Sequence, residues 1–206
     1  MTGFFSKNGR LFIISLVFFI ALSGMSACSS SKETQTKTSD SYIAPDYVKR
    51  DYKNILILAR VDPDMFRRRI ERSVIKEFKS RRYNVSGSTD FVTPELMKDT
   101  ITLKNKVVEM GFDALLVVTF MGEMSGISQN IVFNGNIYSF FGAFPVYNLE
   151  TRGNKTRYFQ TDFYRLDGRG TQWRSGFAAN LDGDPDFGLD KMSVQIRKRI
   201  ERDKIL

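Results

Sequence analysis

The sequence predicts an α/β (α+β) fold: a single mixed sheet with helices packed on it. Two continuous apolar runs, at 54–61 and 113–120, are typical of buried strands because neither alternates with polar residues. Two stretches with helical apolar periodicity lie among these candidate strands. The second half carries hairpin signals and ends on a third helical stretch. The predicted order is strand-helix-strand-helix-strand, followed by antiparallel hairpins and a C-terminal helix.

Two similar signals predict where the first two helices begin. In Asp62-Pro63-Asp64 we expect Asp62 to be the N-cap and the proline to occupy the first turn, and the helix should end near Arg82. Its apolar stripe recurs every four residues, at Phe66, Ile70, Val74 and Phe78. A second strand is expected at 83–86, and a second helix from the N-cap Thr93 to about Met110. Gly111 then fits the left-handed position after a helix end.

The second half predicts paired strands before the last helix. Asn134-Gly135 lies between apolar residues and is a strong hairpin signal. Strands are expected at 156–166 and 171–180, joined by the turn at 167–170. The last helix is expected from about Asp190, with a core face made of Met192, Val194, Ile196 and Ile200.

The first 28 residues indicate export. Lys7 and Arg10 precede an apolar run at 11–22, and small residues lead from there to Cys28, the single cysteine. This order is typical of a secretory signal peptide, and the run is too short to span a membrane, which needs about 20 residues. The segment before Cys28 resembles the lipobox of bacterial lipoproteins. That resemblance implies cleavage before Cys28, thioether lipidation of its sulfur and acylation of the new amino terminus.

This interpretation predicts three parts: a signal peptide at 1–27, a lipidated cysteine with a flexible polar tether at 28–45, and one periplasmic domain at 46–206. The alternatives are an uncleaved anchor, or a plain signal peptide with an incidental cysteine. Ser29 follows the cysteine where an aspartate would retain the protein at the inner membrane under the enterobacterial sorting rule. We therefore expect a lipid anchor on the periplasmic face of the outer membrane.

Composition limits the kinds of partner and of active site that the chain can have. The formal charge of +8 falls to +6 without the two cations of the predicted signal peptide, so an anionic membrane, lipopolysaccharide or an acidic protein is the expected counterpart, rather than nucleic acid. The chain contains no histidine, which excludes Ser-His-Asp and Cys-His nucleophiles and histidine-ligated zinc. We predict no enzymatic activity, no cofactor and no metal.

The mature domain resembles the periplasmic α/β domains of envelope lipoproteins and assembly proteins. Examples are the curli-secretion lipoprotein and the amino-terminal domain of the Tol-system propeller protein. The segments that carry the resemblance are the first apolar strand with its helix, GFDALLVV at 111–118, and the hairpin whose turn joins FYRLD to TQWRSG. The resemblance implies a scaffold or assembly role and transfers no catalytic residue.

The first helix is one candidate binding surface. It is rich in cations, and the predicted partner-binding set is Arg67, Arg68, Arg69, Arg72 and Lys76, with Lys79, Arg81 and Arg82 beyond it. Guanidinium forks on its outer face suit phosphate groups or an acidic partner. The alternative is an ordinary solvated helix face.

The aromatic segment at 127–147 is the second candidate. Tyr138, Phe140, Phe141 and Phe144 are predicted partner-binding residues if their rings are exposed, because a large exposed apolar patch marks an interface. The alternative, that these rings complete the core of the sheet, is given equal weight.

Two carboxylate arrangements resemble functional sites but lack the pattern that such sites require. Asp182, Asp184 and Asp186, with Asp190 downstream, alternate as Ca²⁺ ligands do, but the EF-hand pattern fails because Phe187 and Ser193 occupy its glycine and glutamate positions. A turn that caps the last helix is the preferred interpretation. Asp162 paired with Glu123 or Glu150 would be needed for carboxylate catalysis, and nothing in the sequence pairs them.

These observations together predict a non-catalytic binding or assembly component of the cell envelope. The alternatives are a subunit of a homo-oligomeric secretion assembly and, less favoured, a carboxylate-based enzyme acting on an envelope polymer.

Overall fold

The computed structural model describes residues 41–93, 95–124, 149, 156–167 and 170–206. Along the chain the strands and helices are β1 (Tyr42–Ile43), β2 (Ile55–Arg60), α1 (Asp64–Lys79), β3 (Val85–Gly87), a 3₁₀ turn (Leu96–Lys98), α2 (Thr100–Glu109), β4 (Ala114–Met124), β5 (Thr156–Arg165), β6 (Thr171–Asn180) and α3 (Pro185–Arg202). The strands form one sheet in the order β1-β6-β5-β4-β2-β3. Strand β2 is parallel to β3 and β4, whereas β4, β5, β6 and β1 pair antiparallel. The predicted fold class, a single mixed sheet with helices packed on it, is confirmed.

The helices divide between the two faces of the sheet. On one face, the predicted stripe of α1 packs with the apolar side of α3 against alternate residues of β2, β4, β5 and β6. On the other face, Leu103 and Val107 of α2 cover Leu56 of β2 and Leu115 of β4. Alternation along each strand explains this division, since successive side chains point to opposite faces.

The first helix begins and ends slightly inside its predicted limits. Pro63, and not Asp62, occupies the N-cap, with an extended backbone at φ −78° and ψ 166°. The carbonyl of Asp62 instead accepts a hydrogen bond of 2.6 Å from the backbone N–H of Leu149. The helix ends at Lys79 rather than near Arg82, which has a φ of +67° and therefore lies outside the helical region.

The second helix is shorter than the sequence predicted. Thr93 is not its N-cap, because the Oγ of Thr93 accepts a bond from the N–H of Leu96 at the 3₁₀ turn. Asp99 has an extended backbone that interrupts the helical path, and its carboxylate accepts from the N–H groups of Ile101 and Thr102. Gly111 has the expected left-handed conformation, with φ +82°.

The last helix begins five residues earlier than predicted, at Pro185 rather than Asp190. The side chain of Asp184 is its N-cap and accepts from the N–H groups of Asp186 and Phe187. The strands are closer to expectation, since β6 has the predicted limits and β5 ends one residue before them. The hairpin predicted at Asn134-Gly135 lies outside the described residues.

Candidate interaction surface on the parallel helices

Helices α1 and α3 lie side by side and run in the same direction. Side-chain contacts join the α1 segment to α3, and four of them show the same order along both: Arg69 to Asp186, Ser73 to Asp190, Glu77 to Arg197 and Tyr83 to Glu201. Because the partners advance together toward the carboxyl terminus, the two helices are parallel. Their carboxyl ends therefore lie at the same end of the domain.

Arg67 does not belong to the exposed face on which the sequence placed it. Its side chain is 2% exposed. Its guanidinium donates from Nη2 to the Oγ of Ser88 at 2.9 Å and from Nε to Oε1 of Glu71 at 3.4 Å. The sequence missed this because the helical position of Arg67 faces the end of β3, which sequence periodicity alone does not locate.

Glu71 is the acceptor that makes this burial possible. Its carboxylate accepts from the backbone N–H of Ala59 at 3.1 Å, from that of Ser88 at 2.8 Å and from that of Thr89 at 3.1 Å. Strand β3 pairs with β2 only as far as Ile57. The carboxylate of Glu71 therefore continues the hydrogen bonding where the backbone ladder stops, and it also neutralises Arg67.

The other predicted cations of α1 remain at the surface. Arg68 bonds Asp64 at 2.8 Å, and Lys76 bonds Asp190 at 2.6 Å. The hydrogen bond that Lys76 donates to Asp190 raises the pKa of Lys76. Arg69 is half-buried and lies 3.8 Å from Asp186. Arg72 is exposed and forms no ion pair with any described residue.

A second group of exposed cations gathers where α1 and α3 end. We call it the cationic end, and its members are Lys79, Arg81, Arg82, Lys198 and Lys204. The first three belong to the predicted basic helix, whereas the last two come from α3 and the turn after it. The sequence missed their proximity because only the parallel packing of the helices brings the two groups together.

The acidic loop before α3 is a helix cap. Asp184 caps α3, and Asp182 accepts from Nη1 of Arg157 at 3.0 Å. The side chain of Arg157 is fully buried, so Asp182 neutralises a buried cation. Within the part of the chain that the structure describes, no group of three or more metal-binding side chains is found.

Asp162 lies in a buried polar layer on the sheet face opposite α1 and α3. It is 3% exposed, and one carboxylate oxygen accepts from Nε of Arg174 at 2.5 Å. The other oxygen accepts from the side-chain amide of Gln160 at 2.6 Å. Burial raises the pKa of Asp162, while Arg174 and Gln160 oppose that shift.

The predicted carboxylate partners of Asp162 are not brought to it in the described residues. Glu123 lies 3.5 Å from Arg157, and at this point the sheet register places it on the opposite face from Asp162. Glu150 lies outside the described residues.

The remaining predicted sites also lie outside the described residues. These are Cys28 and the aromatic residues Tyr138, Phe140, Phe141 and Phe144. Among the helices that are described, none is both long and apolar enough to cross a membrane.

Comparison with known proteins gives likeness at the level of structure only. No family model and no curated protein matches the chain. The fold is similar to a PelC dodecamer from Paraburkholderia phytofirmans, at 5% sequence identity and a TM-score of 0.48 over 80% of this chain and 96% of that chain. It is also similar to lipoprotein GNA1162 from Neisseria meningitidis, at 12% identity and a TM-score of 0.38 over 72% of this chain and 98% of that chain. At these values neither likeness says what this chain does.

Proposed function

We propose that this protein is a lipid-anchored, non-catalytic binding component of the bacterial envelope. The anchor is Cys28, and the binding surface is the outer face of α1 formed by Arg68, Arg69 and Arg72. The observation that carries the proposal is that these cations remain at the surface after the apolar stripe of α1 has packed on the sheet.

The ion pairs of this face are weak enough for an acidic partner to replace the acid that each cation now binds. The pair between Arg68 and Asp64 is exposed on both sides, with about half of each side chain accessible. Exposed ion pairs contribute only about 0–1 kcal/mol to stability, so an acidic partner can replace Asp64 at small cost. Arg72 can bind a partner without giving up an ion pair, since it has none with a described residue. Guanidinium groups bind carboxylates and phosphates through two parallel hydrogen bonds, which suits an anionic partner.

The test is cross-linking mass spectrometry of the lipidated protein in its native envelope. Three variants accompany the wild type: Cys28→Ala, the triple reversal R68E/R69E/R72E, and a matched triple reversal K79E/R81E/K198E. The two triple variants change the charge equally but at different places on the helices. A specific partner that is lost only with R68E/R69E/R72E, in protein that melts normally, supports the proposal.

Other outcomes contradict parts of the proposed function. If mass spectrometry finds no lipid on Cys28, the anchor is wrong. If the partner survives R68E/R69E/R72E, the surface is wrong. If the protein cross-links only to itself, the homo-oligomeric alternative replaces the binding role, and a detergent-solubilised complex should then have the mass of several chains.

A further inference from the structure

The cationic end carries more positive charge than its surroundings neutralise. Its five members, Lys79, Arg81, Arg82, Lys198 and Lys204, are exposed, and none forms an ion pair with a described residue. The nearby acids are engaged elsewhere: Glu77 and Glu201 both bind Arg197. Asp203 binds Arg202 at 2.8 Å and accepts from the indole N–H of Trp173 at 2.8 Å.

Helix dipoles favour cations at this end but do not neutralise the cluster. A helix carboxyl terminus favours cations, but the effect falls off within the last turn. Lys79 is the last residue of α1, and Lys198 lies in the final turns of α3. Arg81, Arg82 and Lys204 directly follow the helix ends, and each terminus carries only about half a negative charge, so the dipoles do not neutralise five cations.

The chain enters the described domain at this same end. The indole N–H of Trp173 donates to Asp203, at the end of α3, and Trp173 also pairs with Ile43 of β1. Tyr42 and Ile43 then pair with Arg174 and Trp173 at the start of β6.

The residues after β1 remain near the carboxyl terminus. The hydroxyl of Tyr47 donates to the carbonyl of Ile205 at 2.7 Å. The Nζ of Lys49 lies 3.5 Å from the carbonyl oxygen of Leu206. The predicted tether from Cys28 thus reaches the domain beside the ends of both helices.

We propose that the cationic end lies against the anionic phospholipid headgroups of the membrane that holds the lipids of Cys28. This proposal rests on the proposed lipid anchor. A flexible tether of the length predicted between Cys28 and Tyr42 would have a root-mean-square reach of roughly 20 Å and an extended limit of roughly 45 Å, so it would not orient the domain by itself. Charge complementarity does, because each cation close to an anionic surface strengthens attachment roughly fivefold.

This orientation turns the other end of the sheet toward the periplasm. Met124 and Thr156 pair with each other at the end of β4 and the start of β5, four register pairs beyond Thr119. The candidate aromatic segment at 127–147 joins these two strands. A membrane-facing cationic end would therefore leave the attachment points of that segment directed away from the lipid.

The experiment measures the distance of each end of α1 from the membrane. The lipidated protein carries a fluorophore at S80C or, as the matched control, at M65C, about 22 Å apart along the same helix. Cys28 is the single natural cysteine, and its thioether leaves the introduced thiol as the sole site of labelling. The vesicles contain phosphatidylethanolamine and phosphatidylglycerol with nitroxide-labelled headgroups, and phosphatidylcholine vesicles are the uncharged control.

We expect strong quenching at S80C and weak quenching at M65C on the anionic vesicles. Quenching at S80C should fall on phosphatidylcholine and at about 0.5 M salt, where the screening length is only about 4 Å. In the variant K79E/R81E/K198E, the ratio of S80C to M65C quenching should fall toward one. The equally charged change R68E/R69E/R72E should preserve that ratio.

Equal quenching at the two sites, or S80C quenching that ignores both salt and lipid charge, would overturn the orientation. The proposed anchor fails separately, through flotation and the mass of Cys28. If Cys28 carries no lipid, the same quenching on anionic vesicles still decides whether the cationic end binds headgroups. Melting curves of both triple variants identify any loss that comes from unfolding.

Discussion

At the scale of single residues, the clearest structural requirement is Glu71. It is an acid in the middle of a cationic helix, and its side chain is nevertheless almost fully buried. A buried charge costs several kcal/mol unless it is paired and hydrogen-bonded. Glu71 meets both conditions, because it binds Arg67 and completes the backbone bonding of Ala59, Ser88 and Thr89.

We expect Glu71→Ala to destabilise the domain by about 3–5 kcal/mol, because the buried Arg67 would keep only a 3.5 Å contact with the exposed Asp64 as its ion pair. The backbone N–H groups of Ala59 and Ser88 also lose their acceptor. Urea unfolding followed by circular dichroism measures the effect. Glu109→Ala, on the exposed side of α2, is the control and should change stability by less than about 0.5 kcal/mol. A similar small loss for Glu71→Ala would contradict the assigned role.

Asp162 illustrates why burial is hard to predict for a single polar residue. Gln160 and Asp162 alternate with Phe159 and Phe163 along β5, a pattern typical of a strand with one face in water. The structure instead buries both polar residues, and Arg174 comes from the neighbouring strand to neutralise the acid. The pairing partner lies on another strand, so the sequence of β5 alone contains no signal for it.

At the scale of elements, the contact between α3 and β6 depends on a glycine inside the helix. Gly188 is buried, and a Cβ atom placed on it would lie 2.1 Å from the carbonyl oxygen of Asn180. A backbone atom cannot turn aside as a flexible side chain can. The helix can therefore approach the end of β6 this closely only where a side chain is missing.

We expect Gly188→Ala to destabilise the domain by about 3 kcal/mol, although alanine favours helix formation by about 1 kcal/mol. The added methyl group must push α3 away from β6 and open the core between them. Thermal and urea unfolding check this expectation, with Lys198→Ala as an exposed control on the same helix. Stabilisation by Gly188→Ala would show that the helix can shift without loss of packing.

Helix limits depended on which of several polar residues acts as the cap. The motif of an acid or threonine followed by proline occurs at the first two predicted helix starts, and it also occurs at Asp184-Pro185. Only Asp184 among these is the N-cap of an α-helix. Asp62 and Thr93 have other backbone or side-chain contacts, which depend on neighbours distant in sequence or on a local turn.

At the scale of the whole molecule, acid should weaken the fold. Burial opposes the ionisation of Asp203, but Ser41, Trp173 and Arg202 hold its pKa below the ordinary value of 3.8. An acid with a depressed pKa in the folded state stabilises the protein above the unfolded pKa, and this contribution is lost as pH falls through the folded pKa. Lys76 and Ser73 lower the pKa of Asp190 in the same direction.

We therefore expect the melting temperature to fall steeply as pH decreases below about 4. Asp203→Asn should lower stability at neutral pH and reduce this acid slope, because the group that titrates has been removed. Melting curves from pH 7 to pH 3, at constant ionic strength, measure both quantities. An unchanged slope in Asp203→Asn would show that other carboxylates carry the acid response.

Parallel packing of α1 and α3 also redistributes the charge of the molecule. The sequence predicted a binding surface made of Arg67, Arg68, Arg69, Arg72 and Lys76. Tertiary contacts bury Arg67. They pair Arg68, Arg69 and Lys76 with acids, and two of these three acids belong to α3. They also bring Lys198 and Lys204 to the end where Arg81 and Arg82 lie. Net charge is a property of the composition, but its location depends on which helices lie together.

By itself, the sequence determined the fold class, the alternating elements and the apolar stripe of α1. These features depend on local periodicity, and a period of 3.6 or 2 residues can be read directly from the order of apolar residues in the sequence. It also supplied the predicted lipid anchor at Cys28, which remains a prediction. Only the tertiary structure decided which charged residues are buried, which acids neutralise them and which exposed cations share one end. Those outcomes depend on contacts such as Arg67 with Ser88 and Glu77 with Arg197, between residues far apart in sequence, and local periodicity carries no information about such distances.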